Sequence, residues 1–276
     1  MHAPIGYFRP ISLDFSALAL GFALVCAAMP AQAGGIDLVP HRAAYVLSLE
    51  RADMGSGVEG ARGAMVIEWD ASCEGWTVQQ RIALDLALAN GDDLRSETAY
   101  TSWESLDGRE YSFRVSSKRD GEVAESFAGE ATLDAQGAGE ARYSEPEGRT
   151  MALPSGSMFP TSHTIALIER ARASDPFLYV TLFDGATEDG AARVNAVIGR
   201  ETGPAAGGVS DLVAGVRGWR MRLAFFDFLG EAPEPHYELG VELLENGVAR
   251  GLQMDYGDFV IDAVLDRIEP LAKPAC

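Results

Sequence analysis

Outside its first 33 residues the chain carries three histidines, His41, His163 and His236, and their spacing limits the chemistry open to them. A zinc-type site asks for ligands in short pairs, HxxxH along a helix or HxH along a strand, and no two of these histidines stand that close. Nucleophilic catalysis finds no G-x-S-x-G elbow; Ser155 and Ser157 flank Gly156 behind Pro154 in a loop with no base partner defined by spacing. The stretch Asp184–Gly190 is acidic enough to suggest a calcium loop, but it lacks the alternating oxygens and distant glutamate of an EF-hand, and a hairpin turn explains it. No glycine-rich phosphate loop follows any strand, and carboxylates are too numerous for one pair to stand out as acid and base. The expectation is a protein that binds and does not turn over substrate, with no catalytic residue, no metal and no cofactor. His163 is where that expectation is exposed. Its structural reading is an imidazole hydrogen-bonded to the neighbouring loop, and its catalytic reading is the base of a hydrolase.

The cysteines point to compartment. Cys26 lies in an apolar leader, and Cys73 and Cys276 remain as an even pair. The natural reading in an oxidising compartment is one disulfide; free thiols for metal or redox work are the alternative, although there is no CxxC and no further cysteine to complete a site. The leader itself, residues 1–33, has a positive Arg9, an almost purely apolar run from Ser16 to Met29, and Ala31-Gln32-Ala33 as a peptidase site, with cleavage before Gly34. That run is too short for a hydrocarbon core needing roughly 20 residues. Leu24-Val25 before Cys26 is too bulky for lipidation. A periplasmic protein comprising residues 34–276 as one domain, with no stable membrane insertion, is expected. Arg9 and Asp14 leave together, so the net charge stays at −19, which repels nucleic acid and anionic membrane surfaces.

The elements that must position these residues are mostly strands. Met65, Ile67 and Trp69 alternate with polar or small neighbours, as do Ile82, Leu84, Leu86 and Leu88, and Trp219, Met221, Leu223 and Phe225. Further strands are expected over 41–50, 97–105, 110–118, 122–133, 139–145, 177–183, 191–200, 236–244, 248–256 and 259–268, with turns at Asp107-Gly108, Asp120-Gly121, Asp189-Gly190 and Asn246-Gly247. One segment changes period. After Phe159-Pro160, Thr161 or Ser162 offers an N-cap, Ile165, Leu167, Ile168 and Ala171 follow helical spacing, and Arg170 and Arg172 sit at the negative end of the dipole. The spacing predicts a helix over 161–174 in a mainly β chain.

Several of these segments resemble a known family. Leu153-Pro154-Ser155-Gly156 leading to Phe159-Pro160-Thr161-Ser162-His163, then Leu182-Phe183-Asp184-Gly185, Tyr237-Glu238, Glu245-Asn246-Gly247, Asp255-Tyr256 and a terminal cysteine are similar to the EipB cell-envelope integrity proteins of Gram-negative bacteria. The motif of the resemblance is Phe159, Pro160, Thr161 and His163. It implies a periplasmic β-spiral, a curled antiparallel sheet of about thirteen or fourteen strands with one principal helix, closed by a Cys73–Cys276 disulfide. It also implies a role in keeping the envelope intact under stress, with no catalytic residues to carry over.

A curled sheet must bury its apolar concave face against a helix, a ligand or a partner. If the helix fills the curl with Ile165 and Ile168, function moves outside, to another periplasmic protein as partner. If it only lids the curl, Phe177, Tyr179, Trp219 and Phe225 line an apolar cavity for lipid, lipoprotein or another envelope component.

Overall fold

The computed structural model describes residues 35–187, 190–203, 209–230 and 232–276. The expected leader 1–33, with Cys26, and Asp189 of one expected turn lie outside the described residues. The alternating segments become strands because period-two apolar spacing puts one face of each strand against a common interior. The first run is β1 (His41–Ala52), β2 (Val58–Ala71), β3 (Gly75–Leu88), β4 (Asp93–Ser105), β5 (Glu110–Arg119), β6 (Glu122–Leu133), β7 (Gly139–Glu145) and β8 (Glu147–Leu153). A two-residue strand, β9 (Ser157–Met158), leads into the helix α1 (Pro160–Arg172). The second run is β10 (Phe177–Phe183), β11 (Ala191–Glu201), β12 (Gly218–Asp227), β13 (Tyr237–Leu244), β14 (Ala249–Asp255) and β15 (Phe259–Pro270).

Each run is an antiparallel meander, and β1 pairs with β15 to weld the two into a single 15-stranded sheet ordered β8 to β1, then β15 to β9. The sheet curls into a nearly closed barrel-like shape, and α1 is the one helix among the described residues. The short strands β8 and β9, which the expected strands do not include, lie at the two ends of the order. Among the described residues no helix is long and apolar enough to cross a membrane.

Two features close the structure on itself. Cys73, in the turn between β2 and β3, is bonded to Cys276, with Cα atoms 5.7 Å apart and 203 residues between them in sequence. The Asn246-Gly247 turn joins β13 to β14 and also receives two other segments: the Asn246 carbonyl accepts from the Val39 N–H at 3.0 Å, and its side-chain amide donates to the Leu212 carbonyl at 2.9 Å. Gly247 has φ +87°, a backbone conformation in which other residues are strained, and a Cβ there would also push on the end of the Leu38 side chain 2.6 Å away.

The interior is packed in three separate clusters. Leu167, Ile168 and Ala171 of α1 pack on Leu178, Ala196 and Trp219. Tyr45, Leu47, Met65 and Ile261 gather with Val213 from the 209–217 segment. Tyr111, Phe113, Tyr143, Phe159 and Phe183 form an aromatic cluster in which Tyr111 and Phe159 stack at 4.7 Å. Close packing is the rule in protein cores, so a core divided in three raises the question of what lies between its parts.

Candidate functional site

The N-terminus of α1 points into the barrel and is not capped locally. Phe159 is the N-cap in extended conformation with no side-chain cap bond, and Pro160 opens the helix. The expected caps Thr161 and Ser162 lie inside the first turn instead, because Pro160 presets the helical φ one residue earlier. Their N–H groups are satisfied by Glu104 of β4, which accepts from Thr161 N–H at 2.7 Å, Ser162 N–H at 2.8 Å and Ser162 Oγ–H at 2.5 Å. A carboxylate at this position answers both the free donors and the positive end of the helix dipole. Burial pushes the Glu104 carboxyl above its ordinary range, and the three donors pull it back.

Beside that turn, between the three clusters, lies a cavity of about 400 Å³. This falls within the roughly 300–1,000 Å³ of small-molecule sites. Ile67, Trp69, Leu182, Phe225, Leu239 and Leu252 give it an apolar wall, and Pro160, Thr161 and Thr164 bring α1 to its edge. Polar groups enter at a few points. His41 Nδ1 stands 2.7 Å from the Val39 carbonyl, which assigns its proton to that nitrogen, and burial holds the ring below the ordinary histidine range. Tyr45 donates its hydroxyl to the Ala249 carbonyl at 2.7 Å. The Tyr100 and Tyr111 hydroxyls are bonded to one another, which leaves one proton of the pair to donate to the Asp184 carbonyl, 3.2 Å from Tyr100 and 3.4 Å from Tyr111. Among the described residues no three histidine, cysteine, aspartate or glutamate side chains converge as a metal-ligand set.

The cavity geometry and the disulfide-closed sheet can be set beside known proteins. The EipB-like family model matches residues 32–272. The chain is also 32% identical over 247 residues to the cell envelope integrity protein EipB of Brucella abortus, a match covering 86% of each chain. The chain belongs to the EipB-like family. A crystal structure of a beta-barrel-like protein of a domain of unknown function, also from Brucella abortus, superposes with a TM-score of 0.79 at 31% identity, covering 86% of this chain and all of that one. The resemblance read from the sequence is therefore a membership.

Within this EipB-like fold the family motif splits by role. Phe159 is fully buried in the aromatic cluster, Pro160 and Thr161 border the cavity, and His163 is buried, with Nε2 lacking a hydrogen-bond partner. The expected bond from His163 to the neighbouring loop is thus not made through Nε2. Burial lowers the ring's pKa to about 4, so it is neutral at neutral pH.

The six residues proposed for the cavity separate as well. Phe225 lines it. Ile168 and Trp219 are buried core, and Ile165 packs against that core. Phe177 and Tyr179 correct the expectation: they are 47% and 66% exposed and stack on one another on the outer surface. In β10 Leu178 and Leu182 face the core while Phe177 and Tyr179 face outward, and Phe183 at the strand's end is buried in the aromatic cluster; a one-residue slip exchanges the faces of a strand. The choice between a filled and a lidded curl also proves false. The C-terminal part of α1 fills one region, while its first turn borders a cavity. Glu104 was missed, because a capping bond 57 residues away in sequence leaves no local signal; Asp184, weighed only within an acidic turn, comes to the cavity wall.

Proposed function

We propose that this protein is a periplasmic envelope-integrity factor that acts by binding and not by turnover, and that it holds a lipid or another apolar envelope component in the interior cavity. The observation that carries this reading is the largely apolar cavity of about 400 Å³ between the three core clusters. The name of the Brucella relative supports the envelope role. Binding without catalysis is supported by the state of the two most suggestive groups: His163 Nε2 has no partner to orient it as a base, and both Glu104 oxygens are engaged by the helix.

The test is mass spectrometry of organic extracts from protein purified out of the periplasm, alongside Leu252→Trp, which places a larger ring in the cavity wall. An apolar compound recovered with the native protein and lost from Leu252→Trp is the expected result. Clean extracts from both, with no uptake of an apolar fluorescent probe, would overturn the reading.

A second reading, binding of another periplasmic protein, is favoured by the outer surface of β10 and β11. There Phe177 lies opposite Val197, itself 51% exposed, and Tyr179 stacks beside Phe177. Exposed apolar clusters of this kind mark interaction surfaces.

A further inference from the structure

Trp69 of β2 and Gln80 of β3 are neighbours on the cavity wall. Across the two strands Trp69 pairs with Val78 and Ile67 with Gln80, and all four line the cavity, so the Trp69 and Gln80 side chains are diagonal neighbours on the inner face. Both carry donors. The Trp69 Nε1–H is enclosed and has no hydrogen-bond partner among the described residues. The Gln80 amide spends an N–H on the Met65 Sδ at 3.2 Å, a weak acceptor, and has a second N–H besides. On the same wall the Tyr45 hydroxyl and His41 Nδ1 are already matched with the carbonyls of Ala249 and Val39. An enclosed donor without an acceptor costs free energy, and the cavity beside the indole gives its ring room to tilt and present Nε1 to a guest. No lysine or arginine is among the described lining residues.

We infer that the cavity takes an acyl chain headed by an uncharged carbonyl, an ester or an amide, with Trp69 Nε1 and Gln80 Nε2 as its donors. This rests on the cavity reading above and adds the chemistry of the guest. A carbonyl oxygen has two lone pairs and can accept from both side chains, while the alkyl chain lies on the apolar wall. A carboxylate would accept as well, but it would bring a buried charge with no cation to pair it. A hydrocarbon, or a head group that only donates, leaves Nε1 unpaired. The ester is the chemistry of a glycerolipid and the amide that of an N-acylated chain, and the carbonyl is common to both.

The experiment displaces an apolar fluorescent probe from the full chain with methyl dodecanoate, N-methyldodecanamide, dodecanoate and tridecane. It also follows the four indole N–H resonances of ¹⁵N-labelled protein, assigned sequentially. The ester or the amide is expected to move the Trp69 N–H resonance downfield, as a new hydrogen bond does, whereas tridecane displaces the probe without that shift. Trp69→Phe keeps an aromatic ring and removes the donor; it should weaken the carbonyl ligands about tenfold more than tridecane, the scale of one satisfied buried group. Gln80→Leu should act in the same sense. Whichever of ester and amide binds more tightly names the source of the chain. A Trp69 resonance that stays in place at saturation with both, or dodecanoate binding as tightly as the ester, would overturn the inference, and neither observation needs a variant to fold. Leu252→Trp separates the two levels. If it leaves probe binding unchanged, the cavity reading itself fails; if it blocks the probe while the Trp69 resonance of the unmodified protein ignores the carbonyl ligands, only the donor role fails.

Discussion

The buried carboxylate of Glu104 accepts the Thr161 N–H at 2.7 Å, and through this bond β4 fixes where the first turn of α1 stands inside the barrel. The same turn brings Pro160, Thr161 and Thr164 to the cavity, so the contact couples stability to site geometry. Glu104→Gln replaces one acceptor oxygen by an NH₂ group facing the helix donors, and should lower unfolding free energy by about 1–3 kcal/mol in chemical denaturation. It should also weaken probe uptake by the cavity. Unchanged stability would mean that the helix start is held by other contacts.

The Cys73–Cys276 bond closes nearly the whole fold, and the chain-entropy view gives roughly 5 kcal/mol as a ceiling for such a loop. Cys73→Ser and Cys276→Ser should each lower Tm, and by similar amounts, since each removes the same bond. Two reactive thiols in unreduced, denatured protein would contradict the pairing.

His163 gives a pH dependence of definite sign. Its pKa is about 4 when folded against 6.5 when free, so its contribution is complete above pH 6.5 and is lost as pH falls towards 4, where only the unfolded chain takes up the proton. The loss amounts to about 3 kcal/mol at most. His41 shifts in the same direction, while Glu104 and Asp184, raised by burial, gain stability on acidification and oppose it. His163→Leu should flatten the fall between pH 6.5 and 4 in melting curves; an unchanged slope would exclude His163 as its source. Loss of function in cells by this variant at normal level and stability would instead make His163 a catalytic group.

Aromatics on the two faces of the sheet should respond oppositely to truncation. Trp219, 3% exposed, should cost about 3–5 kcal/mol as Trp219→Ala, whereas Tyr179→Ser should stay within about 0.5 kcal/mol. If Tyr179→Ser nonetheless abolishes rescue of an envelope-defective deletion strain, the outer surface and not the cavity carries the function.

The strands, the helix and the even cysteine pair were legible in the sequence because each rests on local or compositional physics: alternation along Trp219 to Phe225, helical spacing from Ile165 to Ala171, and Asn246-Gly247 between two alternating runs. The phase of β10 was not, because Phe177, Tyr179, Leu178 and Leu182 are all apolar enough to face inward, and only pairing with β11 decides which pair does. The capping of α1 by Glu104 and the position of Asp184 at the cavity were likewise beyond local reading. Both depend on residues far apart in the chain meeting across the interior, where desolvation and hydrogen bonding act on whichever groups the closed sheet brings together.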